Sequence, residues 1–429
     1  MDHSETLVAA VKSDDVAAAT ECLKQHPGLL RRLNDALPGL PFDSTLLLTA
    51  VWHRNKPMID LLLASGADIN QRSHWWAGGF GVLDDDHGLA DFLIERGAQI
   101  DIHAAARLGR IDTIEKLLAE NRSRVHARGG DGQMPLHVAA NAEVAAVLLD
   151  AGADIDARDV DHESTAAQYA IRERQDVTRY LMARGCTTDL LMACAVADIE
   201  VVRKHLDDRP GSVEITVSGD DFPMSNPRAG GTIYIWTLGA HKSAHGVARD
   251  FGRADVFRLL MERSSHELAV AAACEVGDAD LLRTLLHTRG IDIARLSERL
   301  LRKLVEAADR NDGQAARLLL SAGWPVDALG KHGATALHFA AWHGNAQLTK
   351  EMLAHGAALE IRDRDFSMTP VGWAFHGSRH GSNRDRGSYA ETVDALLSAG
   401  ALAPSGDPGA VDASGAVREV LRRWTKQGG

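Results

Sequence analysis

Two histidines four residues apart, His241 and His245, lie in the segment GAHKSAHGVARDFG and are the first candidates for chemistry. If this segment is helical, both imidazoles lie on one helix face, which is the spacing of a metal-binding histidine pair. No Glu stands at the second position of the pair and no third ligand is close in sequence. The pattern therefore does not predict a metal site.

His245 falls at a position where the surrounding pattern requires an apolar core residue, and a buried imidazole needs a hydrogen-bond partner. Four residues could supply that partner: Asp220, Asp221, Asp250 and the hydroxyl of Tyr234. Two interpretations stay open. In one, the histidine pair supplies a general base in a pocket shared with Tyr234, Asp250 and the nearby Trp236. In the other, His245 is a structural histidine held by a hydrogen bond.

An aromatic and acidic segment, HWWAGGFGVLDDDHG, holds a second group of candidates. They are His74, Trp75, Trp76, Asp84, Asp85, Asp86 and His87. Carboxylates and imidazoles together can bind a divalent metal or exchange protons. Three consecutive Asp residues before a helix are also good caps, because they accept backbone N–H groups and complement the helix dipole. Without an HExxH or EF-hand spacing, the pattern favours capping and predicts no metal.

Signatures of common enzyme families are absent from the sequence. The chain has no GxSxG, GxxxxGK[ST] or CxxC motif and no glycine fingerprint of a dinucleotide site. We therefore predict no cofactor. The 20 histidines keep one enzymatic possibility open, which is a lyase, isomerase or hydrolase that uses His/Asp acid–base catalysis.

The composition is typical of a folded protein, with 429 residues, 45% hydrophobic and 25% charged, and a net charge of −12. The acidic balance argues against a nucleic-acid partner, whose phosphates it would repel. No apolar run reaches the roughly 18–20 residues of a membrane span. The four cysteines lie in apolar stretches without metal-ligand spacing, which indicates buried thiols and predicts a cytoplasmic location.

One short pattern recurs along the chain, first as LLLASGADIN at 61–70. Each copy contains a glycine suited to ending a helix. These glycines are Gly66, Gly97, Gly152, Gly185, Gly323, Gly356 and Gly400. Neighbouring glycines lie 31 or 33 residues apart in three cases, and two copies follow the motifs MPLHVAA and TALHFAAWHGN.

This period and these motifs resemble the ankyrin repeat. The segment 333–400 is also similar to a module at the ends of bacterial ankyrin-repeat proteins. The resemblance implies an all-α fold, an ankyrin-repeat solenoid of about twelve helix-turn-helix units with two or three inserted fingers. Since one helix pair cannot bury its own apolar face, neighbouring units must stack.

Departures from the period divide the chain into five predicted parts. They are an N-terminal capping repeat (1–42), repeats with an aromatic and acidic finger at 71–88 (43–209), an inserted finger (210–242), repeats with a loop insertion at 377–387 (243–403), and a linker with a C-terminal capping helix (404–429). The inserted finger contains VEITV at 213–217 and TIYIWTL at 232–238. Both segments are strand-like, because β-branched and aromatic residues dominate them.

Tryptophan and histidine recur at variable positions of the repeat, which normally face the groove. Those positions hold Trp52, His53, Trp342, His343, Trp373 and His376, and the fingers add Trp75, Trp76 and Trp236. A Trp buries a large area at a small loss of side-chain freedom, which suits a binding surface. The alternative is that these side chains wedge between neighbouring repeats and serve packing.

Two functional hypotheses follow. The first is a monomeric scaffold that binds a protein or peptide partner through its concave groove and its aromatic and histidine-bearing fingers. The second is an enzyme that binds a small molecule. Its site would have to lie within one finger, because very roughly 80–90 Å of stacked helices separate Trp52 from Trp342.

Overall fold

The computed structural model describes residues 3–84, 88–404 and 406–427. Within these ranges the chain is helical, and the β-pairing consists of two isolated bridges, Arg158 with Thr165 and Thr216 with Ser243. The predicted all-α repeat architecture is confirmed. Residues 85–87 of the acidic finger lie outside the described residues. The capping role of Asp85 and Asp86 therefore stays a prediction.

The chain divides into two compact units. Unit 1 comprises Met1–Val196 and Val217–Gly239, and unit 2 comprises Ala197–Thr216 and Ala240–Gly429. The helices of unit 1 are α1 (His3–Lys12), α2 (Val16–Gln25), α3 (Leu46–Trp52), α4 (Lys56–Ala64), α5 (Ala90–Ile94), α6 (Ile102–Arg107), α7 (Ile111–Glu120), α8 (Ala142–Asp150), α9 (Ala166–Tyr169), α10 (Gln175–Ala183) and α11 (Leu190–Val196). Short 3-10 turns, among them Gly130–Gly132 and Pro135–Val138, connect them.

Unit 2 repeats the same alternation of short paired helices. They are α12 (Ile199–Asp208), α13 (Ala244–Asp250), α14 (Ala254–Arg263), α15 (His266–Glu275), α16 (Ala279–Thr288), α17 (Glu298–Leu301), α18 (Lys303–Asp309), α19 (Gly313–Ser321), α20 (Ala336–Trp342), α21 (Ala346–Ala354), α22 (Pro370–His380), α23 (Tyr389–Ser398) and α24 (Gly415–Gln427). No helix in the described parts of either unit is both long and apolar enough to cross a membrane.

Local sequence explains where these helices begin and end. The second helix of many pairs starts at an Asp or Asn whose side chain accepts the backbone N–H three residues on, which satisfies an otherwise unpaired donor. These caps are Asp15, Asn55, Asn141, Asp198, Asp278, Asp312 and Asn345. At the other end, all seven predicted turn glycines have φ between 81° and 104°. Only glycine reaches this region without strain.

The first helix of each pair is rich in small residues, which lets neighbouring helices approach closely. In α6, Ala104, Ala105 and Ala106 are at most 1% exposed. The second helix contributes the larger apolar side chains, such as Leu348 and Met352 in α21, which are fully buried. The four cysteines are free and buried within this core, as the sequence predicts.

Two local predictions are wrong. The strand-like segments 213–217 and 232–238 contain a 3-10 turn at Pro210–Glu214 and a π-helical turn at Ile235–Gly239. Within the described chain, no neighbouring strand offers backbone partners to either segment, so neither segment forms a β-strand. Several of their β-branched side chains are instead buried from these turns and the adjoining loops. The loop predicted at 377–387 starts later, because α22 continues to His380.

Candidate functional site

The ends of first helices and the adjoining hairpin turns line a partly open cavity within each unit. In unit 2 this cavity has a volume of about 470 Å³. We call it the unit 2 cavity. It is lined by Asp309, Lys331, His332, Phe339, Trp342, Phe366, Met368, Trp373 and His376. Most of these side chains are apolar or aromatic, so the cavity suits an apolar group of a ligand.

Trp373 is the centre of the aromatic lining. Its ring centroid lies 5.2 Å from that of Phe339, 6.2 Å from Trp342 and 6.3 Å from Phe366, with interplanar angles of 69° to 75°. Such edge-to-face pairs are favourable for aromatic rings. The indole Nε1 of Trp373 donates to Asp363 Oδ2 over 2.9 Å and fixes the ring. Phe366 is 58% exposed and lies at the rim.

Charged groups border this aromatic lining. Asp309 Oδ2 lies 2.9 Å from His241 Nε2. Burial would raise the pKa of Asp309, but the hydrogen bond and charge of His241 outweigh it and hold the pKa below its ordinary value. His332 Nδ1 lies 2.6 Å from Asp365 Oδ2. The charges around the cavity are thus largely arranged in His/Asp pairs.

Unit 1 has a second cavity of about 510 Å³, the unit 1 cavity. It is lined by Phe42, Trp52, Phe80, Asp84, His103, Arg107, Gly130, Asp131, Gln133, His137, Val138, Tyr169 and Arg174. One wall is aromatic: the Phe42 centroid lies 5.8 Å from Trp52 and 5.3 Å from Phe80. The opposite lining is polar and charged, unlike that of the unit 2 cavity.

Burial shifts the pKa values of three polar residues that line the unit 1 cavity. Burial raises the pKa of Asp131 to about 6, and the negative charges of Asp161 and Asp159 add to this effect. Burial lowers the pKa of His137 to about 4 and that of Arg174 to about 10. The Arg174 guanidinium donates to the carbonyls of Ala139 and His137, over 2.7 and 3.0 Å. These backbone bonds hold Arg174 against the wall.

Asp131 connects the hairpin of residues 128–133 to the aromatic finger. Trp75 Nε1 donates to Asp131 Oδ1 over 3.1 Å, and the Asp131 backbone N–H donates to the carbonyl of Gly78 over 3.2 Å. The inserted segment reaches the same finger, because the Arg228 guanidinium lies 4.4 Å from the ring centre of Trp76. The two insertions therefore meet within unit 1.

The predicted catalytic histidines do not share a helix face. His241 has a φ of 59° and precedes α13, which begins at Ala244. His245 is fully buried, and its Nε2 lies 2.9 Å from Ser264 Oγ. Because Ser264 donates its own proton to the Leu260 carbonyl, it accepts from His245. The partner is thus Ser264 and none of the four predicted residues, which agrees with a structural histidine.

The other catalytic candidates have separate partners as well. The Tyr234 hydroxyl donates to Asp189 Oδ2 over 2.9 Å in a fully buried position, and burial raises the pKa of Tyr234 well above its ordinary value. Asp250 forms an ion pair with Lys242, at 2.9 Å. Neither side chain lines the unit 1 cavity or the unit 2 cavity. Of the catalytic candidates, His241 alone contacts a cavity residue, Asp309.

The predicted binding residues have different surroundings. Those that line the unit 1 or unit 2 cavity are Trp52, Trp342, Trp373 and His376. The histidines at the ends of α3 and α20 contact the preceding repeat, and His343 also lines a separate cavity of about 480 Å³ in unit 2. His53 Nδ1 lies 3.1 Å from Asp14 Oδ1, and His343 Nε2 lies 2.8 Å from the carbonyl of Asp309. Trp236 is 72% exposed and belongs to neither cavity.

Sequence reasoning missed most hairpin residues of both cavities. They are Phe42, Phe80, Asp131, Gln133, Lys331, His332, Phe366 and Met368. A signal was present in two similar segments, RDVDHEST at 158–165 and RDRDFSMT at 362–369. The two segments share an Arg-Asp pair, a second Asp and a final Thr, which predicts the same hairpin in both units. The positions that differ between the two copies include Phe366 and Met368, which line the unit 2 cavity.

Two family models match this chain. A model described as ankyrin repeats in three copies matches residues 102–192, and one described as ankyrin repeats in many copies matches residues 319–371. The chain therefore contains ankyrin repeats in both units, and the predicted resemblance to the ankyrin repeat is confirmed, whereas the similarity to bacterial ankyrin-repeat proteins stays a prediction. Ankyrin repeats generally serve as protein-interaction scaffolds.

Proposed function

We propose that this ankyrin-repeat chain binds a segment of a partner protein through the unit 2 cavity, with an apolar side chain of the partner inserted among the aromatic rings. The observation that carries the proposal is the partly open aromatic lining around Trp373. Its rings are held in place by Phe339 and by the hydrogen bond to Asp363. A rigid aromatic cavity is the usual setting of a binding hot spot.

The charges at the rim favour a peptide over a free hydrocarbon. His376 Nδ1 lies 3.2 Å from Asp412 Oδ2, and Lys331 is exposed beside Asp309. Backbone groups of a peptide could pair with such polar side chains while its apolar side chain fills the cavity. An apolar centre with a polar rim is the common anatomy of protein interfaces.

Peptide selection tests this proposal. A phage-displayed library of random peptides is selected on the full chain, and the selected peptides are then titrated against the Phe366→Ala variant. Phe366 is 58% exposed, so its removal leaves the core intact. Leu402→Ala is the matched control, because Leu402 is 70% exposed in unit 2 and lies outside the cavity.

We expect selected peptides to share an apolar anchor and to lose at least about tenfold in affinity for the Phe366→Ala variant, as hot-spot residues do. The Leu402→Ala variant should bind like the original chain. Failure to select any peptide, or equal affinity for both variants, contradicts the proposal.

A second function, the binding of a small molecule, is supported by the unit 1 cavity. Its volume of about 510 Å³ lies within the range of ligand sites, and it combines an aromatic wall with Arg174 and Asp131. For an enzymatic reaction of the lyase, isomerase or hydrolase type, the unit 1 cavity is the better candidate, since His245 and Tyr234 line neither of the two cavities. Native mass spectrometry of the purified chain tests this function. A retained small molecule that Trp52→Ala releases supports it, and an empty chain that also fails to bind a metabolite library contradicts it.

A further inference from the structure

Three ligand-forming side chains converge beside the unit 1 cavity. They are Asp131, on the hairpin of residues 128–133, and Asp161 with His162 on the next hairpin. Each offers one oxygen or nitrogen atom, and these three atoms lie within 4.8 Å of one another. His162 Nε2 is 3.7 Å from Asp161 Oδ2 and 3.9 Å from Asp131 Oδ2. These separations are too long for hydrogen bonds but leave room for an ion between the three atoms.

The orientation of His162 is the observation that points to a ligand. Its Nδ1 lies 2.8 Å from the Gly231 carbonyl, which can only accept, so Nδ1 carries the proton and Nε2 carries a lone pair in the neutral ring. His162 is 7% exposed. The groups that face Nε2 are the carboxylates of Asp131 and Asp161, which are acceptors when ionised. A metal-bound histidine usually donates its other nitrogen to a carbonyl in this way.

The two carboxylates are held in a similar manner. Trp75 Nε1 donates to Asp131 Oδ1 over 3.1 Å, and the Gly230 backbone N–H donates to Asp161 Oδ1 over 3.2 Å. In each carboxylate one oxygen is thus held by a donor while the other faces His162. All three side chains are oriented by outer hydrogen bonds toward a common point, as metal ligands are.

Gly230 closes one side of this site. A Cβ atom placed on Gly230 would lie 3.2 Å from Asp161 Oδ2 and 3.4 Å from His162 Cε1. A Cβ atom would thus be tight against Asp161 and in ordinary contact with His162, so the main chain passes close to both side chains. The space between the side chains is bounded on that side by main chain.

The corresponding hairpins of unit 2 show what is unusual here. Alignment of RDVDHEST with RDRDFSMT places Asp365 at the position of Asp161. In the hairpin that precedes each of these segments, His332 of unit 2 corresponds to Asp131 of unit 1. Both residues have a left-handed backbone, with φ values of 62° and 55°. In unit 2 these positions form a His332–Asp365 pair of 2.6 Å. Unit 1 has two carboxylates instead, and like charges repel unless a cation neutralises them.

We propose that Asp131, Asp161 and His162 bind one divalent transition-metal ion, through two carboxylate oxygens and the His162 Nε2. This mixed oxygen and nitrogen set suits ions such as Mn²⁺ and Zn²⁺. Asp131 also lines the unit 1 cavity, so the ion lies at its edge and its remaining positions are open to water or to a ligand. The three proposed ligands belong to unit 1, whereas the residues of the proposed peptide site belong to unit 2.

A second cluster of possible metal ligands, in unit 2, could bind added metal as well, so its contribution must be removed from any measurement. His376 and His380 lie four residues apart on α22, and both contact Asp412 Oδ2, at 3.2 and 3.1 Å. Arg379 also contacts Asp412. Because this cluster is partly exposed and its carboxylate is already paired with Arg379, we assign it no metal. The His380→Ala variant serves as the background in which it is disabled.

Titration with Mn²⁺, followed by the electron paramagnetic resonance signal of the free ion, tests the proposal. The full chain with His380→Ala is first freed of metal with a chelator. Asp161→Asn is added to remove one ligand charge while keeping its shape. Asp365→Asn is the matched control, since it makes the same change at the corresponding position of unit 2.

We expect one Mn²⁺ per chain in the His380→Ala background, a dissociation constant at least tenfold higher after Asp161→Asn, and no change after Asp365→Asn. His162→Phe should also abolish Mn²⁺ binding. Because unit 2 has a phenylalanine, Phe366, at the corresponding position, we expect the hairpin of unit 1 to fold with this substitution. Circular dichroism spectra identify any variant that fails to fold. Absence of stoichiometric Mn²⁺ binding, or equal affinity in the Asp161→Asn and Asp365→Asn variants, overturns the proposal. Such a result would leave a proton shared within the cluster as the neutralising cation.

Discussion

Phe366 in unit 2 occupies the hairpin position that His162 occupies in unit 1. The surrounding framework is the same in both copies. Asp159 Oδ1 accepts the backbone N–H of Ser164 over 2.8 Å, and Asp363 Oδ2 accepts that of Met368 over 2.9 Å. One hairpin design therefore presents an aromatic ring at the rim of an apolar cavity in unit 2, and an imidazole beside two carboxylates in unit 1.

The two rings at the unit 2 cavity differ in their contribution to stability. Trp373 is 7% exposed and donates a hydrogen bond to Asp363, whereas Phe366 is 58% exposed. We expect Trp373→Ala to lower the free energy of unfolding by about 3–5 kcal/mol and Phe366→Ala by less than about 1 kcal/mol. Urea denaturation of both variants measures the difference. Equal losses would show that Phe366 belongs to the core and not to the binding rim.

Two glycines of α22 should respond oppositely to alanine. At Gly377 a Cβ would lie 2.5 Å from the Trp342 carbonyl oxygen, a backbone atom that cannot move aside alone. At Gly372 the nearest atom would be Met368 Cβ at 3.4 Å, an ordinary contact. We expect Gly377→Ala to destabilise the protein by about 1–3 kcal/mol through overpacking. Gly372→Ala should stabilise it by up to about 1 kcal/mol through helix propensity.

Thermal melting of the two variants compares these effects within one helix. If Gly377→Ala melts at or above the temperature of Gly372→Ala, α22 does not pack closely against the end of α20. The contact of Gly377 with the Trp342 carbonyl would then not explain why α22 continues to His380.

Stability should fall in acid because of His245. Burial lowers the pKa of His245 to about 4, from an ordinary value of 6.5 in the unfolded chain. Between these values the unfolded state binds more protons, so the free energy of unfolding decreases as pH falls from about 6.5 to 4. The contribution of this one residue amounts to about 3 kcal/mol.

The His245→Leu variant isolates this contribution, because His137, whose pKa burial also lowers to about 4, remains in both chains. Urea denaturation is measured at several pH values across the window. We expect the original chain to lose more stability than the variant as pH falls. Parallel pH profiles would contradict the assignment of a neutral, buried imidazole at this position.

Glu163 should hold residues 217–239 of the inserted segment against the rest of unit 1. Its carboxylate accepts the backbone N–H of Ser225 over 2.8 Å and that of Asn226 over 2.7 Å. These backbone hydrogen bonds hold the pKa of Glu163 below its ordinary value. We expect Glu163→Ala to speed hydrogen exchange at residues 225 and 226, because both amides lose their acceptor. Glu143→Ala, an exposed acid on α8, is the control and should leave this exchange unchanged.

The sequence predicts the scaffold well because the scaffold depends on local signals. A glycine such as Gly356 ends a helix by its own backbone freedom, and a cap such as Asn345 acts on the amide three residues later. These features can be located without knowing which repeats are neighbours. Trp52 and Trp342, which the repeat pattern places at equivalent variable positions, are each the last residue of a first helix.

The functional residues depend on contacts that no local pattern records. Asp131 meets Trp75 across 56 residues, and Tyr234 meets Asp189 across 45. The spacing of His241 and His245 suggests a helical pair, but the left-handed backbone at His241 separates them before α13 begins. Aligning the two hairpin sequences would have indicated both cavities, because the residues that differ between them are visible only once the shared residues are matched.

Peptide affinity at the unit 2 cavity tests the central proposal most directly. The dissociation constant of one selected peptide is measured by fluorescence anisotropy for the original chain, Phe366→Ala and Leu402→Ala. We predict a rise of at least about tenfold for Phe366→Ala alone. Equal dissociation constants for all three chains would contradict binding at the unit 2 cavity.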